Sequence, residues 1–122
     1  MPQIYFDDDA SLSVIGERTV AIIGYGNQGR SQALNLKDSG VNVVVGNIDD
    51  EYADVAREDG WDLMSIEEAS AASDIKLLLT SDDSHPDVWE KWLAKTMKPG
   101  DVLSFAHGFN IHYDEVTPSK DI

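Results

Sequence analysis

The stretch that decides the fold is TVAIIGYGNQGRSQALNL, residues 19–36. Thr19 to Gly24 is an unbroken, β-branched apolar run, the pattern of a strand buried on both faces of a parallel sheet. The run climbs into Gly24-Tyr25-Gly26-Asn27-Gln28-Gly29 and leaves as a helix from Asn27 to Lys37, with Ala33, Leu34 and Leu36 suited to packing on a sheet. Gly40 stands where a left-handed C-cap is needed.

Outward from this unit the same alternation repeats. VNVVVG (41–46) reads as a second strand and DDEYADVARED (49–59) as a helix with acids in its first turn, where they favour the helix dipole. Gly60 ends it. A short strand-like piece follows at Trp61–Met64, then a short helix over 66–72 introduced by Ser65 with Glu68 three places on, a capping box. DIKLLLT (74–80) gives another strand, Pro86–Thr96 a helix with Val88, Trp92 and Leu93 turned inward, and DVLSFAHG (101–108) a last strand. Strand and helix in alternation predict an α/β fold, a doubly wound parallel sheet with helices on both faces and right-handed crossovers. Residues 1–18 read as a polar lead-in with a small apolar patch at Leu12, Val14 and Ile15.

The chain has 122 residues, the length of one domain. It contains no cysteine, which excludes disulfides and thiolate chemistry. Nine basic against 23 acidic side chains give a net charge of −14, which argues against nucleic acid and anionic membranes as partners. No segment reads as a secretory signal or a bilayer span, and a cytoplasmic location is expected.

A Gly-x-Gly-x-x-Gly between a strand and a helix is the setting of a dinucleotide-binding loop. Gly24 permits the tight turn, Gly26 lets backbone approach a pyrophosphate and Gly29 lets helix and strand pack closely, while the helix N-terminus offers N–H groups to the anion. Arg30, in the first helical turn, reads equally as a phosphate contact or as an exposed arginine offsetting nearby acids. The ribose is expected at the end of the second strand, GNIDDE (46–51). Asp49, Asp50 and Glu51 stand there with no basic residue before Arg57, which suits the 2′-hydroxyl of NAD and opposes the 2′-phosphate of NADP. NAD(H) is therefore expected in preference to NADP(H), with one aspartate free to cap the helix as well.

His107 follows the VLSFA strand at its C-terminal end, where open parallel sheets place ligands, and Gly108 leaves room beside it. Position alone fits a histidine acting as acid, base or hydrogen-bond donor as well as one bonded to backbone. His112 reads as structural, His85 as the first residue of a helix, and Trp61, Trp89 and Trp92 as packing.

IYFDDDASLSVI, VAIIGYGNQGRSQALNLKDSGVNVVVG and KPGDVLSFAHGFNIHY, in that order, resemble the N-terminal Rossmann domain of ketol-acid reductoisomerases. The resemblance implies conversion of 2-acetolactate or aceto-hydroxybutyrate to a dihydroxy acid, by a magnesium-dependent alkyl migration and then hydride reduction by a nicotinamide cofactor, in isoleucine and valine biosynthesis. It implies a catalytic role for His107, phosphate contacts from Tyr25, Gly26, Asn27 and Gln28, a cofactor-specificity loop around Asn47, Ile48, Asp49 and Asp50, and a segment along the cofactor at Asp82, Asp83, Ser84 and His85. The chain departs from the family pattern at Asn27 and Arg30, where serine and histidine are usual. It also departs at 47–51, where the usual arginine and serines are missing, and at SDDSH (81–85). The family's magnesium ligands and most of its acetohydroxy-acid pocket lie in a helical C-terminal domain, so residues 1–122 are expected to be the cofactor domain alone, inactive by itself, with no metal ligand assigned. A sheet left open at its last strand makes association, including a homo-oligomer, an expectation. A stand-alone NAD(H)-binding module and another small dehydrogenase are the competing readings.

Overall fold

The β-branched runs form strands where their pattern places them. The computed structural model, which describes residues 1–122, contains β1 (Thr19–Ile23), β2 (Asn42–Gly46), β3 (Ile75–Leu78) and β4 (Val102–Phe105). All pair in parallel in the order β2-β1-β3-β4. The expected strand at Trp61–Met64 is reduced to one bridge between Met64 and Gly46 on the outer side of β2. The chain thus builds outward from β1 on one side and then crosses to the other, so the order reverses between β1 and β3. In a doubly wound sheet that reversal is where ligands bind. Register brings the strand ends level: Ile23 faces both Gly46 and Leu78, and Leu78 faces Phe105. The four loops that follow therefore open along one edge.

Alternation along β1 divides the core. Ala21 and Ile23 pack with Ile66, Ala69, Leu78, Val88 and Leu93 on one face, whereas Ile22 joins Tyr25, Ala33, Val45 and Ala56 on the other. The helices covering these faces are α2 (Asn27–Asp38), α3 (Glu51–Glu58) and α4 (Ile66–Ala71), preceded by a short α1 (Ser13–Gly16). The predicted capping box opens α4: Ser65 Oγ accepts from the Glu68 N–H at 3.2 Å, and the Ser65 N–H donates to Glu68 Oε2 at 3.0 Å. The bond from the Ser65 backbone first, and then one from the Ser65 hydroxyl to Glu68 Oε2 at 2.9 Å, hold the Glu68 carboxyl below its ordinary value. Gly46 lets α4 lie directly on β2, since a Cβ there would stand 2.7 Å from Ala69 Cβ.

Two features differ from the pattern-based expectation. The predicted helix over 86–96 is α5 (His85–Val88) and α6 (Ala94–Thr96) joined by a π-helical turn at Trp89–Leu93. That turn keeps Val88 and Leu93 both in the core and leaves Trp89 and Trp92 half-buried against it. The strand expected at DIKLLLT carries Lys76, which is fully buried. Its ammonium donates to the Asp101 carboxylate and to the Ser73 carbonyl at 2.6 Å, so β3 and the residue before β4 are joined by an ion pair. The last helix, α7 (Phe109–His112), begins two residues after His107. No helix is long and apolar enough to cross a membrane.

Candidate functional site

The candidate cofactor and catalytic residues lie in the loops after β1, β2, β3 and β4, at the C-terminal edge of the sheet. After β1 the chain turns at Gly24, with φ +96°, and enters α2 capped by Gly26 without any side-chain cap. Gly29 seats the helix against this turn: a Cβ on it would lie 1.9 Å from the Gly24 carbonyl oxygen. The backbone N–H groups of Gly26, Asn27 and Gln28 make no hydrogen bond to protein. A Cβ on Gly26 would meet nothing within 4 Å. The result is an uncapped positive helix end with open approach, which fits a pyrophosphate.

Tyr25 serves this loop from beneath. Its side chain is 1 % exposed, and its hydroxyl donates to Asp59 Oδ2 at 2.8 Å while accepting from Trp61 Nε1–H at 2.6 Å. Burial first, and then the Asp59 bond, push the phenol from 10.0 up to about 12. Arg30 turns to the same carboxylate, with Nε and Nη2 at 2.7 and 2.9 Å from its two oxygens. The Arg30 and Tyr25 bonds hold Asp59 below the usual carboxylate range. Of the two readings of Arg30, the structure shows the pairing with a nearby acid. The Tyr25 side chain, buried and bonded to Asp59, fixes the loop to the end of α3; its backbone N–H donates to Asn47 Oδ1 at 3.1 Å.

Asn47, just past β2, is buried and fully used. Besides accepting from Tyr25 it donates through Nδ2 to the Ile48 carbonyl at 2.9 Å and to Asp50 Oδ1 at 2.7 Å. Asp50 caps α3, accepting from the N–H groups of Tyr52 and Ala53 at 3.0 and 3.2 Å. Asp49 points outward beside Arg57, whose guanidinium lies 3.4 Å from Asp49 and 3.0 Å from Asp54. Ile48 is exposed at the rim. Glycine loop, Asn47–Asp50 and the Thr80–Trp92 segment together enclose a cleft of about 520 Å³ lined in part by Gly26, Ile48, Asp50, Thr80 and Val88. Lys91, which the sequence reading missed, lines the same cleft 3.5 Å from Asp87. Its only sequence signal was the four-residue spacing of the two charges on a helix face.

The Asp82–His85 segment and the residues after β4 meet at the other end. His85 is 1 % exposed, its Nε2–H donating to the Thr80 carbonyl at 2.8 Å. The Asn110 amide, equally buried, donates at 2.9 Å to the Asp82 carbonyl and at 3.0 Å to His85 Nδ1. The Ser84 hydroxyl stays within the segment, donating at 2.7 Å to the Ser81 carbonyl, and Asp83 is exposed. His107 is exposed, and its Nδ1 lies 3.0 Å from Asp82 Oδ2. A second cavity of about 390 Å³ is lined by Asn27, Gln28, Asp82 and His107 among others. The structure thus brings the uncapped helix end and His107 to one space. His112, on α7, is exposed and packs edge-on against Tyr113. Asn110 escaped the sequence reading, its only signal being its place two residues past Gly108. The acidic residues present form no group of three His, Asp or Glu able to hold a metal ion. They do not fit a magnesium centre.

Residues 14–122 match the family model for the acetohydroxy acid isomeroreductase NADPH-binding domain. The chain belongs to the acetohydroxy acid isomeroreductase, or ketol-acid reductoisomerase, family. It is 47 % identical over 120 residues to the ketol-acid reductoisomerase (NADP(+)) of Bifidobacterium animalis subsp. lactis, covering 98 % of this chain and 34 % of that one. The NADH-preferring ketol-acid reductoisomerase from an uncultured archean superposes with a TM-score of 0.96 at 35 % identity, over 99 % of this chain and 38 % of the other. A putative oxidoreductase from Jannaschia sp. CCS1, at 22 % identity and a TM-score of 0.77 over 88 % of this chain and 39 % of the other, shares the fold. The reductoisomerase resemblance read from the motifs, and the Rossmann-like α/β fold, therefore stand. The chain spans about a third of the length of these relatives.

Proposed function

We propose that residues 1–122 are the dinucleotide-binding part of a cytoplasmic ketol-acid reductoisomerase and that this part takes NADH in preference to NADPH. The observation that carries the first half is the joint cavity: Asn27 and Gln28, whose N–H groups have no protein partner, line it together with His107. In this reading Gly26, Asn27 and Gln28 cradle the pyrophosphate, and Ile48, Asp49 and Asp50 border the adenosine ribose. Asp82 to His85 border the middle of the cofactor, and His107 meets the substrate. Bound there, the cofactor supplies hydride; the chain's own residues hold and orient it and offer an imidazole to the acetohydroxy acid. The magnesium-dependent migration belongs to the whole protein. Phe109, Ile111 and Tyr113, exposed beside His107, give an apolar surface that suits coverage by further protein and speaks against a self-sufficient sensing module.

The cofactor preference rests on charge. Asp49, Asp50, Glu51 and Asp54 surround the ribose end, and the one arginine there, Arg57, is held by two of them. A phosphate dianion would have to displace Asp49 from Arg57 and sit among the remaining carboxylates. The opposite reading has one observation in its favour: Arg57 is placed where a 2′-phosphate would find it. Side-by-side calorimetric titration with NADH and NADPH separates the two. The expected result is tighter NADH binding that Arg57→Ala leaves within about twofold. NADPH binding equal to or tighter than NADH, and selectively weakened by Arg57→Ala, overturns the preference. If neither binds, the cradle reading itself fails.

A further inference from the structure

We infer that Asp82 is the positioning residue of His107, fixing its ring so that Nδ1 carries the proton and Nε2 is left as an unprotonated acceptor facing the cavity. The inference rests on the reading of His107 as the substrate-facing histidine and decides which way that histidine acts. An ionised carboxylate has no proton to give, so the 3.0 Å contact between Asp82 Oδ2 and Nδ1 is a bond that His107 donates. That contact is His107's one hydrogen bond to protein, and it leaves Nε2 without a protein partner on a ring that lines the same cavity as Asn27 and Gln28. Neutral imidazole free in water favours the other tautomer, so the carboxylate reverses an intrinsic preference.

The support beneath Asp82 is what makes the pair a device and not a chance surface contact. Asn110 is 2 % exposed, and its amide clamps the Asp82 carbonyl and His85 Nδ1 together. Because Asn110 faces a carbonyl oxygen on one side, its nitrogen must point there. His85 in turn must accept at Nδ1 and donate from Nε2–H to the Thr80 carbonyl. The two histidines are thus held in opposite tautomers by one chain of bonds. His85, buried, supports the loop as an Nε2–H ring. His107, exposed, is presented as an Nδ1–H ring with a free basic nitrogen. The third flank of His107 is the Phe109 ring, stacked at 6.4 Å between centroids, and it brings no charge. In this state His107 accepts a proton or hydrogen bond from a substrate hydroxyl; it does not donate to a substrate carbonyl.

Long-range proton–nitrogen correlation spectra of the nitrogen-15-labelled chain, at a pH where the rings are neutral, read the tautomers directly. Signals of the three histidines are assigned by single replacement of His85, His107 and His112. The expected spectrum shows His107 mainly as Nδ1–H and His85 as Nε2–H. Asp82→Ala turns His107 to mainly Nε2–H, whereas Asp82→Glu restores at least part of the Nδ1–H population. The Asn110 clamp holds the backbone at residue 82, so the alanine variant keeps its loop, which amide spectra verify. A wild-type His107 already in the Nε2–H form, or an Nδ1–H form indifferent to Asp82→Ala, overturns the inference. Titrating NADH into the same samples keeps the two readings apart: an Nε2–H His107 in a chain that binds NADH defeats this inference alone, and failure to bind NADH defeats the cofactor reading while leaving the pair intact.

Discussion

Gly29→Ala tests the central physical claim, that α2 is pulled against the end of β1 so that its N-terminus becomes a cradle. The added Cβ would lie 1.9 Å from the Gly24 carbonyl oxygen, 2.9 Å from the Gly24 carbonyl carbon and 3.3 Å from Ile22 Cγ2. Carbon and oxygen approach no closer than about 3.3 Å, so helix and turn must separate by about 1.4 Å. The two closest contact atoms are backbone, and the third belongs to Ile22 in the fully buried core. Overpacking of this kind costs about 3 kcal/mol, of which the better helix propensity of alanine returns up to about 1. A net loss of about 2 kcal/mol lowers Tm by about 8 °C for a domain of this size. The N–H groups of Asn27 and Gln28 move with the helix, and losing their charge-assisted bonds to phosphate weakens NADH by at least about tenfold. Gly26→Ala is the control. Its φ of −71° suits any residue and its Cβ would meet nothing within 4 Å, so stability holds while the methyl group occupies the approach to the pyrophosphate. Thermal unfolding and NADH titration of both variants therefore dissociate: Gly29→Ala loses on both measures and Gly26→Ala on binding alone. A Gly29→Ala chain with unchanged Tm and unchanged affinity refutes the reasoning.

Tyr25, held to about 12, adds stability that is complete below its unfolded value of 10.0 and fades as pH rises toward 12. In urea titrations the wild-type midpoint is expected to fall over that window more steeply than in Tyr25→Phe, and the absorbance step that this substitution removes to lie near pH 12; a removed step near pH 10 contradicts it. Asp101→Ala strands the buried Lys76 ammonium and is expected to cost about 3–5 kcal/mol by urea unfolding. Adding Lys76→Met should recover part of that loss, and a double variant weaker than the single one would show that the pair is not what holds β3 to β4.

How much of this was legible in advance follows from where the physics is local. β1 and the glycine loop were readable because burial on both faces and a strand-to-helix turn leave few residue choices, and the Ser65–Glu68 box because its partners are three residues apart. The π-turn at Trp89–Leu93 was not readable: it satisfies packing of Val88 and Leu93 against α4 and β3, which no local pattern encodes. Lys76 disappeared into an apolar run because its partner is 25 residues away. For the site, the sequence named residues on loops that meet at one edge of the sheet but could not say which surfaces they turn outward. Tyr25 and Asn47 stood among cofactor contacts, and the structure shows both side chains bonded to protein beneath the cleft. His85 likewise gives both ring nitrogens to its neighbours. The Asn110 clamp links segments 28 residues apart and leaves no periodic trace.

One consequence of the charge distribution separates a backbone cradle from an ordinary cationic site. A chain of net charge −14 binding a dinucleotide anion would be expected to surround it with free lysine or arginine. Each cation near the cleft is instead tied to a carboxylate: Arg30 to Asp59, Arg57 to Asp49 and Asp54, Lys91 to Asp87. Attraction is left to N–H groups at α2, which act over a few ångströms and are barely screened, while the repulsion is long-ranged and screened strongly. With the charge spread over a sphere of about 18 Å radius, a dianion at the surface is disfavoured by about 4 kcal/mol at 0.01 M salt and about 2 kcal/mol at 0.15 M. NADH affinity should therefore rise with sodium chloride over this range, by up to about thirtyfold, with no change in stoichiometry. Affinity that falls as salt is added would mean that a cation abandons its carboxylate for the phosphates, with Arg30, at the first turn of α2, the one to substitute next.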